Sequence, residues 1–585
     1  MDMQAFRVIK HEVDVCVVGG GIAGLCAAMA SARGGARTII MQDRPVFGGN
    51  ASSEIRKHIC GAQVGGGPNL NHPDMRETGI IEELRLANQR HNPQWSWHVW
   101  DGILYDKVRL EPDLEYLLNC SCQDASADGG RLRSVTGWQT TTQSYHVVEA
   151  SIFIDCSGDS VLAPLVGAEY RRGREARSEF GELGAPEQAD EKTMGMTCMF
   201  MAHDTGELQK FVPPSWAKKL SEDDLLDRDH AFLRHGYWWI ELGGDGDSIG
   251  DTETVRDELL SYVYGVWDHI KNGGDHGAET WALDWIQFLP GKRESRRYVG
   301  DYILNQNDLE SGGRFGDVVA YGGWPMDDHP PGGILFRGAP TTFYPPIVPY
   351  GIPYRCLYSR NIENLQFAGR NISATHMALS STRVIATCSI LGQAVGTAAA
   401  IAASHDCTPR EVGQWHLDEL QQTLLSDNCY LPGVKMAMSR NTRSAALSAD
   451  EGDPEPLRNG WDRPIGDEEN AWHGRVGSYV TYEWPHAVHI DHLRMVCDSD
   501  LNANIRMNVW EPPIKGLPPS MVRDITMEVR QDGVWGVVGS VRDNERRLIH
   551  SPLNVETDGL RLRIDRTWGD EVVRLFAVTA HARDD

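Results

Sequence analysis

The stretch VDVCVVGGGIAGLCAAMASARGGARTIIMQDR, Val13–Arg44, decides the fold. Val13–Val18 is an apolar β-run that would be buried on both faces. Gly19-x-Gly21-x-x-Gly24 follows it directly and opens a helix of small residues, Ile22–Arg33, with Ala27, Ala28, Ala30 and Ala32. A second apolar strand starts at Thr38. In this strand–turn–helix–strand setting each glycine has a task. Gly19 makes the turn, Gly21 lets backbone approach a pyrophosphate, and Gly24 lets helix pack on strand. The helix N-terminus then offers unpaired N–H groups to the phosphates. The second strand ends in Gln42 and Asp43 where a ribose-binding acid belongs. Either side chain can hydrogen-bond a diol, so the choice between them stays open.

Four further stretches extend the reading. RPVFGGNASSE (Arg44–Glu54) runs a glycine pair past the nucleotide strand, which suits close approach to a flat ring system. ASIFIDCSGDS (Ala150–Ser160) is an apolar strand ending in Asp155, Gly158 and Asp159. LPGKRESRRYVGDY (Leu289–Tyr302) concentrates Arg293, Glu294, Arg296, Arg297 and Asp301. NLQFAGRNIS (Asn364–Ser373) is a short strand ending in Gly369, Arg370 and Asn371. After it, a small-residue helix starting near Thr387 carries Gly392, Gln393, Ala394 and Gly396.

Together these motifs resemble the glutathione-reductase-like FAD superfamily, and within it the bacterial FAD-dependent oxidoreductases loosely named xanthan lyases. The resemblance covers roughly residues 10–430. It implies FAD as cofactor, in a discontinuous Rossmann-like α/β domain beneath an α+β substrate cap. The residues it assigns to FAD are Gly19, Gly21, Ala23, Gly24, Gln42, Asp43, Arg44, Gly48, Gly49, Asn50, Ala51, Ser52, Asp155, Gly158, Asp159, Gly369, Arg370, Asn371, Arg383, Gly392, Gln393 and Ala394. The dipole of the last helix would stabilise reduced flavin.

The protein must also orient a substrate and move a proton. Histidine suits proton removal from a hydroxyl near neutrality. His376, between the flavin-binding strand and helix, is the first candidate, and His58, beside the glycine pair, the second. Arg355 and Arg383 would orient a polar or anionic oxygen, Arg383 alternatively an FAD phosphate. Asp327, Asp328, His329, Tyr350, Tyr354, Glu54 and Arg56 are further candidates. No second GxGxxG follows a strand, so a separate NAD(P)H domain is not expected. The 12 cysteines form no CxxC pair, and Cys120 and Cys122 have no matching partners, so no metal is read.

The domain expectation is FAD-binding residues 1–60, 105–175 and 350–430, a Trp/His-rich insert 60–105, a cap 175–350 and a polar linker 440–465. Residues 466–585 alternate apolar and polar at strand period and suggest a β-sandwich of about seven strands, similar to discoidin-like galactose-binding modules. Trp472, Trp484, Trp510 and Trp535 are expected in its core rather than as a sugar platform. The formal net charge of −26 argues against nucleic acid and anionic membrane as partners. A cytoplasmic location is the default, and a homo-oligomer is allowed. The expected reaction is oxidation of a carbohydrate or glycoside hydroxyl to a carbonyl. The rivals are carbon–carbon double-bond reduction or desaturation of a carboxylate substrate, and a glycan-binding protein with a structural flavin.

Overall fold

The computed structural model describes residues 5–62, 72–274, 276–344, 348–507 and 514–582; Trp510 lies outside them. Its first layer is a sheet built from β1 (Arg7–Val18), β2 (Thr38–Met41), β3 (Leu114–Leu117), β4 (Cys120–Asp128), β5 (Arg131–Gln139), β6 (Ser144–Asp155) and β7 (Leu365–Phe367). The parallel order runs β3-β2-β1-β6, with β7 alongside the C-terminal half of β6. The antiparallel β4–β5 hairpin takes the N-terminal half of the same β6 edge. β1 alternates exposed and half-buried residues at its start and is continuously buried over Val15–Val18, where sheet and helices close over it.

Helix α1 spans Ile22–Arg33, as its small residues predict. α2 (Ile80–His91) and α3 (Trp97–Arg109) follow, and α4 (His376–Thr382) and α5 (Ile385–Ser404) close the domain. Gly392 and Gly396 of α5 face α1. A Cβ on Gly392 would stand 2.0 Å from the Ala23 carbonyl oxygen, and one on Gly396 2.1 Å from that of Ala27. The two helices therefore meet backbone to backbone. α5 has 20 residues and a mean hydropathy of 1.6, long and apolar enough to cross a bilayer. Nearly all of it is buried inside the protein, which accounts for its composition.

Residues 60–105 are not a separate insert. Ile80, Leu84, Trp100 and Leu104 belong to the same apolar core as β1 and α5, and Gln393 Oε1 accepts the Ile80 N–H at 2.8 Å. The cap is smaller than expected. Its own core runs from Met196 to Ile286 with Ile334, around the helix Thr252–Asn272, while Tyr298, Leu304 and Val318–Tyr321 lie in the main core. Residues 440–465 are not a linker either. The strand Ala446–Ala449 pairs with Tyr479–Cys497, and Ala445 and Leu457 lie in the C-terminal core.

The C-terminal unit is an antiparallel β-sandwich. Two long strands, Tyr479–Cys497 and Leu548–Thr567, pair with each other and with Ala446–Ala449, Val522–Gln531 and Val572–His581, and Trp472–Arg475 and Val534–Val541 complete the set. Trp472 and Trp484 are core residues. Trp535 is half-buried, with the Arg561 guanidinium 4.1 Å from its ring centre.

Candidate active site

One cavity of about 910 Å³ lies between the sheet's C-terminal ends and the cap, at the upper end of the size range of cofactor sites. It follows the topology of an open α/β sheet, where ligands bind beyond the carboxyl ends of the strands. Gly19, Gly21, Ile22 and Ala23 form one wall. Gly19 has φ +102°, and its Cβ would meet Cys156 backbone at 2.5 Å. Gly24 lies behind this wall; its Cβ would come 1.8 Å from the Gly19 oxygen. The Gly48–Gly49 pair docks on the same loop. Gly48 N–H donates to the Gly20 oxygen at 2.9 Å, and a Cβ on Gly49 would stand 3.0 Å from Gly21 Cα. Side chains are excluded at Gly19, Gly48 and Gly49, while a Cβ on Gly21 would meet only Gly49 Cα at 4.0 Å, so its backbone lies open to the cavity.

Gln42 and Asp43 are now distinguished. The Gln42 amide is consumed locally, accepting from Gly20 N–H at 2.7 Å and donating to the Val46 oxygen at 3.2 Å. Asp43 points into the cavity and has no ion pair among the described residues; burial raises its pKa. Arg44 lines the cavity but is paired with Glu54 at 2.8 Å. Across the cleft, Asp159 binds Lys292 and Arg370, each at 2.8 Å. Burial would raise the Asp159 pKa, but Arg370 and Lys292 outweigh it and bring it down to about 2. Gly158 has φ +77°, which favours glycine, and a Cβ there would also press on the Arg370 guanidinium at 2.5 Å.

The lining therefore includes Gly19, Gly21, Ala23, Gln42, Asp43, Arg44, Gly48, Gly49, Asn50, Gly158, Asp159, Gly369, Arg370 and Arg383. Eight residues assigned to the cofactor do not reach it. Gly24, Gly392 and Ala394 serve helix packing, and Gln393 caps α2. Ala51 and Ser52 are buried, with the Ala51 oxygen accepting from Trp100 Nε1. Asp155 is turned inward, accepting from the Ser157 and Leu162 N–H groups and from the Ser157 and Tyr298 hydroxyls. Asn371 donates to the Asp155 carbonyl. The opening of α5 does face the cavity, through Val384, Ile385 and Cys388.

The catalytic assignments divide sharply. His376 is fully buried away from the cavity, with Nδ1 2.8 Å from Glu294 and Nε2 3.1 Å from Asp328. Burial alone would lower its pKa, but Glu294 and Asp328 raise it to about 10. It is an imidazolium with both nitrogens engaged, so it cannot accept a proton. The ESRR motif belongs to this same knot: Arg297 is paired with Glu294 and, at 2.8 Å, with Glu175. Arg355 also lies outside the cavity, half-exposed, bound to Asp317 at 2.9 Å and stacked on Tyr302. Tyr350 and Tyr354 are core residues.

His58, by contrast, lines the cavity and has no hydrogen-bond partner among the described residues. Burial, reinforced by Lys57, Arg506 and His235, depresses its pKa well below 6.5. The imidazole is neutral at physiological pH. The same cavity is lined by residues the sequence did not single out: Lys57, Trp238, Trp285, Trp324, Phe343, and Met507 from the C-terminal unit. Lys57 makes no ion pair among the described residues; burial, with repulsion from Arg293 and Arg383 against attraction from Asp327, lowers its pKa. Arg293 is 3.2 Å from Glu241, and Arg383 is 3.3 Å from Asp327. Asp327 also meets His329 at 3.3 Å. Burial opposes its charge, but His329 and Arg383 hold its pKa far below the usual carboxylate range. Arg56 lies over Trp285 at 4.5 Å.

A family model described as "FAD dependent oxidoreductase" matches residues 14–424. Thiamine thiazole synthase from Thermotoga maritima is 28% identical over 214 residues, which is 34% of this chain and 73% of that protein. Among solved structures, a geranylgeranyl bacteriochlorophyll reductase-like protein from Thermoplasma acidophilum is similar at 11% identity and a TM-score of 0.31, covering 72% of this chain and 86% of its own. The family 32 carbohydrate-binding module of Streptococcus pneumoniae EndoD is similar at 14% identity and a TM-score of 0.20, covering 24% of this chain and 99% of its own.

Proposed function

The chain belongs to the FAD dependent oxidoreductase family, and from that premise we propose that it oxidises a hydroxyl group of an acidic carbohydrate to a carbonyl. The cavity fits the cofactor. Its glycine cradle is free of Cβ atoms, an uncapped helix N-terminus stands beside it, and Asp43 is free to accept ribose hydroxyls. Bound FAD supplies the two-electron acceptor for a hydride. The rest of the chemistry belongs to the chain. His58, neutral, takes the hydroxyl proton on a ring nitrogen. Lys57, which makes no ion pair among the described residues, and Arg293, held by Glu241, offer charge-assisted hydrogen bonds to an anionic group. Trp238, Trp285 and Trp324 offer apolar faces to a sugar ring and exclude water.

The observation that carries this reading is the adjacency of an unprotonated histidine and an unpartnered lysine in one cavity wall. The cations would serve an enoate reductase equally well. Reduction would need a proton donor, and Lys57, whose pKa burial lowers, would supply one, so turnover decides between the two. An anaerobic panel of aldonic and uronic acids, neutral sugars and enoates separates the readings. Flavin bleaching by a hydroxy acid, with a product two hydrogens lighter, supports oxidation. Silence across all sugars, with reoxidation of reduced flavin by an enoate, overturns it.

A further inference from the structure

The cap carries a second convergence of chemistry, remote in sequence from the motifs above. Glu222, His230, His269 and His276 bring one ligand atom each to within 4.8 Å of one another. Glu222 Oε2 is 3.0 Å from His269 Nε2 and 3.5 Å from His230 Nε2, and His269 Nε2 is 3.2 Å from His276 Nε2. A tetrahedral zinc with bonds of about 2.0–2.1 Å has ligand–ligand edges of about 3.3–3.4 Å. The three measured edges bracket that value.

Hydrogen bonding explains the arrangement less well. His269 Nε2 stands against both a carboxylate and another ring nitrogen, and one nitrogen carries either a proton or a lone pair. If it donates to Glu222, it has no lone pair left for His276. A cation bound by all four groups removes the conflict. His230 is also oriented as a ligand should be: its Nδ1 lies 2.6 Å from the Arg228 carbonyl oxygen, so the proton sits there and Nε2 keeps its lone pair for the cluster. His230 and His269 are buried, while Glu222 closes the open side from solvent.

We propose that Glu222, His230, His269 and His276 form a structural zinc site. Three imidazoles and one carboxylate are a borderline-soft set suited to Zn²⁺, and four protein ligands leave no open position for catalysis. The metal would pin the irregular segment 222–230 to the end of the helix Thr252–Asn272 and the turn after it. Immediately downstream, His235, Gly236 and Trp238 enter the cavity wall. No short spacing marks these ligands in the chain; the nearest pair, His269 and His276, are seven residues apart.

Full-length holoprotein is loaded with zinc, desalted and assayed for metal per flavin, and affinity is measured by competition with a chromophoric chelator. About one tightly held zinc per chain is expected. Glu222→Gln changes an exposed residue and should preserve the fold. It is expected to weaken binding at least by the roughly 100-fold that loss of an outer-shell partner can cost. His269→Gln is expected to do the same, with flavin content reporting folding. His405→Gln/His416→Gln, at the exposed His405–His416–Glu419 group, is expected to change nothing. Cobalt in place of zinc is expected to give the intense visible bands of a tetrahedral site. Zinc that is not retained, zinc held equally by Glu222→Gln, zinc lost from the His405/His416 variant, or an octahedral cobalt spectrum would each overturn the proposal.

Discussion

His58 and His376 carry the same side chain, and their surroundings give them opposite chemistry. His58 sits among cations and stays neutral; His376 sits between carboxylates and stays charged. The His376 imidazolium gives a signed stability prediction. A folded pKa raised from 6.5 to about 10 adds stability that is complete below pH 6.5 and lost as pH rises towards 10. His376→Gln is expected to cost about 3 kcal/mol at pH 6 and to flatten that alkaline loss. Denaturant unfolding across pH 6–10 tests it, and an unchanged slope in the variant would refute it. Lys57 is the other decisive residue. Lys57→Met is expected to raise KM for an acidic sugar about 10–100-fold, the worth of one charge-assisted hydrogen bond, and to leave KM for its neutral counterpart unchanged. Equal effects on both substrates would remove the anion clamp.

At the scale of elements, glycines decide how closely backbone approaches backbone. α1 and α5 touch through the Gly392–Ala23 and Gly396–Ala27 contacts, and α1 presents its N-terminus to the cavity. Gly396→Ala places a methyl against a main-chain oxygen that cannot swing aside. It is expected to cost about 1–3 kcal/mol and to weaken FAD binding, as thermal unfolding and flavin fluorescence would show. Unchanged stability would mean the helices are not locked together. Most of this layer was legible in the sequence, because strand, turn and helix at Val13–Met41 are set by local pattern, and the glycines of the cradle are marked by backbone need. The failures share one cause. Asp155, Asn371 and Gln393 sit in the right motifs but turn inward to satisfy buried backbone or side-chain groups. That choice is made by Tyr298 for Asp155, by Asp155 for Asn371 and by Ile80 for Gln393, each distant in the chain. His376 was misread for the same reason: its partners Glu294 and Asp328 lie 82 and 48 residues away, and no local pattern announces them.

At the scale of the whole molecule, the sandwich is joined to the FAD-binding body by buried arginines. Arg76 is paired with Glu82 at 2.6 Å and donates to the Ser499, Asp500 and Ala503 carbonyls, while Ser499 Oγ donates to Glu82 at 2.7 Å. Arg494 and Arg547 reach back to the Leu425 carbonyl and to Asn428. The continuing segment brings Met507 into the cavity wall and the Arg506 charge towards His58. Arg76→Ala leaves Glu82 buried and unpaired and is expected to cost about 3–5 kcal/mol. Wild-type protein is expected to melt in one calorimetric transition; two independent transitions would show that the units are not coupled. The proposed chemistry is a single step, hydride leaving a hydroxyl carbon as His58 takes the proton. Anaerobic stopped-flow reduction of the enzyme-bound flavin by the proposed sugar acid, in wild type and His58→Gln, tests it most directly. The expected result is a wild-type rate that holds steady from neutral pH to below 6.5, and a variant that binds FAD normally but reduces it about 10²–10⁴-fold more slowly. A variant that reduces its flavin as fast as the wild type would contradict the account.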